Sequence, residues 1–247
     1  MLRVLRAEFS KLGRSRTPLW TALVVLLAPA ITASTASLSD AGVTHMSWGA
    51  FMRGGPQLMA SWYGLLLFGM AAAYLFGCEY GEGTVKEMFT LPLRREYFFV
   101  AKMVVLAAWV LGLAILSLAA QAGYAAVLGL HGFSWAEAVR CATISLEVAL
   151  LTYATLPWAA LLAMVGRGYL APMVYSALAA FLGMGLAEAG WSRWFPWSMS
   201  LSVTGVALFP AVPMPDLVVG SWALMALVFV AGSVAAVLYM DWADTLQ

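Results

Sequence analysis

Residues 100–130 read VAKMVVLAAWVLGLAILSLAAQAGYAAVLGL, with Lys102 as the single charged side chain. No soluble helix needs an apolar surface all the way round over such a length. At 1.5 Å per residue the run spans about 45 Å, more than the roughly 30 Å hydrocarbon core of a bilayer. It therefore reads as a transmembrane helix whose Gly123–Leu130 end projects beyond the membrane. Working outward, the same reading applies to Pro18–Leu38, Leu58–Gly77, Ala138–Val165, Tyr169–Ala187 and Leu217–Met240. The fourth of the six spans carries Arg140 at one end and Pro157 inside, which predicts tilt or a kink.

Composition agrees with this reading. Hydrophobic residues make up 63% of the 247-residue chain and charged residues 10%, with a mean hydropathy of +0.88. Soluble domains are about half apolar and about a quarter charged. The fold class is therefore an all-α polytopic membrane protein. The net charge of +1 by itself says nothing about nucleic acid, and none is expected as a partner. Cys78 and Cys141 fall at opposite membrane faces, so no disulfide between them is expected.

Lysine and arginine set the orientation. Arg3, Arg6, Lys11, Arg14 and Arg16 precede the first span; Lys86, Arg94, Arg95 and Lys102 follow the second; Arg167 follows the fourth. Only Arg53, Arg140 and Arg193 lie on the other side, so ten of the thirteen cations place both termini in the cytoplasm. Residues 1–17 are also patterned: Leu2, Leu5, Phe9 and Leu12 recur at helical spacing. This predicts an amphipathic helix lying in the interface, its cations near anionic headgroups. The same pattern argues against a cleaved signal peptide, despite small residues around Ala33–Ser37. Residues 18–247 form the six-span domain. Within it, residues 189–215 mix Trp191, Trp194, Phe195, Trp197 and Phe209 with Pro196, Pro210, Pro213 and Pro215. That stretch reads either as an outer aromatic belt or as a re-entrant element dipping into the outer leaflet.

The most informative segment lies between spans two and three. Gly81 and Gly83 loosen its start. Thr84 and Glu87 have capping-box spacing, and Pro92 stops the helix they begin. Val85, Met88 and Phe89 then project an apolar knob suited to a groove on a cytoplasmic partner. The order Glu79-x-x-x-Gly83-Thr84, then Pro92, Arg95 and Lys102, resembles the permease subunits of ABC-2 type transporters. The resemblance extends over the whole chain: an N-terminal connecting helix (Arg6-Ala7-Glu8-Phe9-x-Lys11), two spans, a coupling helix, then four more spans. Asp241 and Asp244 depart from the basic ending of many relatives.

The resemblance implies that residues 79–92 couple to a separate ATPase. Glu79, Glu82, Gly83, Thr84, Lys86, Met88, Phe89, Pro92 and Arg95 would form or flank the contact. It also implies two ATPase copies, a second permease chain that is identical or homologous, and a cavity walled by spans two and five. Tyr63, Phe68, Met70, Tyr175, Phe181 and Met184 are the cavity candidates, although each is individually more ordinary as helix packing. Glu147 joins them because an intramembrane carboxylate marks function by default. No cofactor is expected on this chain; ATP and magnesium would sit on the partner, since none of the three lysines lies in a GK[ST] motif. The cargo implied is amphiphilic or hydrophobic, as in drug or antimicrobial-peptide efflux.

Two other classes compete. An intramembrane enzyme acting on lipids would need paired carboxylates, a metal set or an activated nucleophile. His45 and His131 have no HExxH context, and no GxSxG elbow is present. A secondary transporter would need repeats and midplane charges; beyond Glu147 the sequence offers only Gln121, Tyr153 and Glu188.

Overall fold

The computed structural model describes residues 2–37, 46–81, 95–209, 211 and 214–244. All regular elements among them are helical. Helix α1 is Leu2–Arg14 and α2 is Thr17–Ser37. Next come α3 (Trp48–Leu58), a π turn (Met59–Tyr63) and α4 (Gly64–Gly81), joined as one continuous rod. Then follow α5 (Arg95–Val127), α6 (Trp135–Val165) and α7 (Leu170–Glu188). A 3-10 turn at Pro196–Ser198 leads into α8 (Met199–Leu208), and α9 is Val219–Asp244. Six of these rods are long and apolar enough to cross a membrane, so the protein is a multi-pass membrane protein.

Two helix starts differ from the sequence reading by five residues or more. The second span begins at Trp48 rather than Leu58, because Arg53, Gly54, Gly55 and Pro56 are absorbed into α3. Low hydropathy there reflects contact with protein instead of exposure to water. The third helix starts at Arg95 rather than Val100. Lys102 thus lies about two turns into the helix, inside the bundle, where it is 2% exposed. The predicted coupling helix lies largely outside the described residues: 82–94 are not described, and of Glu79, Tyr80, Gly81 and Arg95 only the helical backbone is.

Helix α6 is the hub, packing against α4, α5, α7, α8 and α9. The second and fourth spans are 67% and 61% buried, whereas the last is 17% buried. The outer helices show large apolar side chains, among them Leu19 at 70% and Trp20 at 62% exposed. In water such surfaces would drive aggregation; in a bilayer they face lipid or a partner. Close approach rests on small residues at a few crossings. At Gly183 of α7 a Cβ would stand 3.0 Å from the Trp197 carbonyl oxygen. At Gly232 of α9 it would stand 2.9 Å from the Trp158 ring, whose Nε1 donates to the Val228 carbonyl at 3.0 Å.

Candidate functional site

At the predicted cytoplasmic end, three elements meet on one buried cation. Lys102 Nζ on α5 donates to the Leu75 carbonyl of α4 at 2.5 Å and pairs with Glu8 Oε2 of α1 at 3.3 Å. The rings of Phe76 and Phe98 lie 5.7 and 5.6 Å away. Both partners of the ion pair are sequestered, with side chains 2% and 3% exposed. A buried charge costs several kcal/mol unless it is paired and hydrogen-bonded; here the carboxylate, the carbonyl and two aromatic faces share that work.

The face that α1 turns to the bundle is thus Leu5–Glu8–Leu12, with Leu5 and Leu12 packed on the core. Phe9, expected on the same stripe, is 42% exposed. It stands on the flank of the helix, about 100° round from Glu8. Sequence reasoning treated Lys102 as a loop cation and gave Glu8 no role. The available signals were an acidic residue inside an apolar stripe and a lysine two positions into an apolar run. Beside this junction a cleft of about 430 Å³ opens between α1 and α4.

Midway along the second span, the π turn sets Tyr63 inward and Trp62 outward. Tyr63 and Ser117 share a hydrogen bond of 2.5 Å. The Ala60 carbonyl accepts from the Ser200 hydroxyl of α8 at 3.5 Å. Gly64 closes the turn by donating its N–H to the Met59 carbonyl. A Cβ at position 64 would overlap that same oxygen. An apolar groove of about 460 Å³ runs beside the turn, between Leu27 and Ile31 of α2 and Leu58 and Trp62.

The opposite end of the bundle is held by charge. Arg53 Nε meets Glu137 Oε1 at 2.6 Å, and its Nη1 donates to the Leu208 carbonyl at 3.4 Å. Arg140 donates to the Ala207 carbonyl. Two guanidiniums therefore cap the C-terminal end of α8, satisfying carbonyls that a short helix leaves open and opposing its negative dipole end. From there α8 descends to Met199, which packs with Leu151 and Met225. Ser198, which precedes this helix, and Ser200, Ser202 and Thr204 along it are all buried. This polar seam was not singled out from the sequence, where Ser/Thr amid apolar residues reads as neutral filler.

The cavity candidates do not gather into one chamber. Phe68 is fully buried in the core, and Met70 and Met184 pack against it. Tyr175 accepts from Trp197 Nε1 at 2.7 Å. Phe181 is 66% exposed and meets Trp62 edge-on at 6.4 Å. Glu147 stands exposed on α6. Helices α4 and α7 do pack together. Cys78 and Cys141 are both buried free thiols. Among the described residues no cluster of three His, Cys, Asp or Glu side chains suits a metal ion.

Comparison with known proteins gives a direct family assignment. The model of the ABC-2 family transporter proteins matches residues 4–185. A bacitracin transport permease protein of Bacillus licheniformis is 24% identical over 182 residues, covering 73% of this chain and 85% of that protein. No solved structure matches. The family match begins inside α1 and ends inside α7, so it takes in most of α1, the ion-paired junction and the first four spans with most of the fifth. The chain therefore belongs to the ABC-2 family of transporter proteins, as a membrane-spanning transport subunit.

Proposed function

We propose that this chain is one of two permease subunits, identical or homologous, of an ATP-driven exporter in the bacterial cytoplasmic membrane. Both termini face the cytoplasm, and each permease seats residues 79–92 on a separate ATPase that binds ATP and magnesium. The supporting observation is the buried Glu8–Lys102–Leu75 junction. It ties α1 to both helices that bracket residues 82–94, so a push on that segment reaches α1, α4 and α5 together. ATP shifts access only if it binds the two transporter states with different affinity.

The exposure of Glu147 supports a second permease chain. Its carboxylate lies about 18 Å along α6 from Trp135, between the exposed apolar Leu146 and Leu150. A charge is costly in lipid at such depth, so this face suits a partner subunit or a water-filled cavity. Residues 189–215 fit a re-entrant element covered by protein, since α8 is buried between α3 and α6. The cargo is an amphiphilic compound or antimicrobial peptide; the name of the bacitracin relative motivates that class.

Co-purification with the ABC ATPase encoded nearest to this chain tests the proposal, alongside bacitracin inhibition of cells expressing both. The pair is expected to co-elute and raise the inhibitory concentration. Glu79→Ala or Gly83→Pro abolishes both effects while the permease still accumulates. Failure to bind an ATPase, with protection intact in both variants, refutes the coupling.

A further inference from the structure

We propose that the cleft between α1 and α4 is a binding site for one anionic phospholipid of the cytoplasmic leaflet. The cleft holds about 430 Å³, within the size range of small-ligand sites. Its mouth is cationic. Lys11 and Arg14 are three residues apart and so share one face of α1; both are exposed. Ser15 Oγ accepts from the Thr17 N–H at 3.1 Å, which places the start of α2, with its positive dipole end, at the same rim. Exposed Arg16 stands beside it. Among the described residues the one acid in the lining, Glu8, faces Lys102 at 3.3 Å and Lys11 at 3.7 Å; with Arg14 these cations outnumber it, so the mouth keeps a net positive charge.

The floor is of the opposite character: Leu12 from α1 and Tyr74, Leu75 and Cys78 from α4. Free phosphate would satisfy the mouth and leave this floor uncovered. A zwitterionic lipid would cover the floor but bring its own cation against Lys11 and Arg14. A phosphodiester with an acyl chain answers both, with its headgroup on the cations and its chain running down between α1 and α4 toward the bilayer. The site is independent of the transport reading and is measured on the permease alone.

The test compares the parent chain with Lys11→Gln/Arg14→Gln, and with Arg193→Gln as a control outside the cleft. Each is purified in mild detergent, titrated with phosphatidylglycerol or phosphatidylcholine, and read by native mass spectrometry. The parent and the control should each hold one phosphatidylglycerol in preference to phosphatidylcholine. The double variant should weaken that binding roughly thirtyfold, as expected for two cations near an anionic surface. Leu12→Asn should weaken lipid binding while eluting as a single folded species. Unchanged affinity in the double variant, equal retention of phosphatidylcholine, or full displacement by inorganic phosphate overturns the assignment.

Discussion

Removing the ammonium of Lys102 puts the junction of α1, α4 and α5 to a quantitative test. In Lys102→Met the Glu8 carboxylate, whose side chain is 3% exposed, keeps only the 3.7 Å contact to Lys11 among its ion pairs described above. Breaking a buried pair from one side costs about 3–5 kcal/mol, because the other charge is left uncompensated. The Leu75 carbonyl also loses a 2.5 Å donor, within the same range. For a chain of this size, each kcal/mol moves the melting point by roughly 2–4 °C, so the variant should melt about 6–20 °C below the parent. Glu8→Leu/Lys102→Met removes both charges and fills the space with apolar volume. Such replacements are often neutral or stabilising, and the double variant should recover to within about 2 kcal/mol of the parent. The assay is thermal unfolding in detergent, followed by the fluorescence of the 11 tryptophans. A single variant melting within about 2 °C of the parent, or a double variant no better than the single, would refute the claim that pairing holds the junction.

Two other parts of the fold make separate demands. Gly64→Ala should unwind the π turn, since its Cβ has no room beside the Met59 carbonyl, and Tyr63 should leave Ser117. Ser117→Ala would then cost about 1 kcal/mol in the parent and close to nothing in the Gly64→Ala background, read by a double-mutant cycle of melting points. At the opposite end of the bundle, Arg140→Gln uncaps α8, so amide exchange across Met199–Leu208 should quicken by roughly fivefold to thirtyfold for a loss of about 1–2 kcal/mol. Arg53→Gln should accelerate it more, because Glu137 also loses its 2.6 Å partner; equal exchange in the parent and both variants would refute the capping role.

Some of this protein is written along the chain. Unbroken apolar runs have no solution in water, so α2, α5, α6, α7 and α9 are legible with their ends shifted by a few residues. That residues 2–14 are helical is legible too, but not which face is buried: Phe9 of the expected stripe is exposed and Glu8 is enclosed. The glutamate–glycine–threonine pattern after the second span placed the chain in its family, which comparison with known proteins then established independently. Other features are not local. Arg53 looks like a loop residue until Glu137, some eighty positions later, folds against it. Glu8 and Lys102 each look solvated until tertiary contact removes water from both. The Ser200 hydroxyl of α8 gains a partner only where the π turn presents the Ala60 carbonyl as its acceptor. The sequence by itself determined that the chain spans a membrane and in which order its helices come, because burial in lipid is a property of each segment alone. Only the tertiary structure decided where charge is kept inside the bundle, because a buried charge is stable only when its partner arrives from elsewhere in the chain.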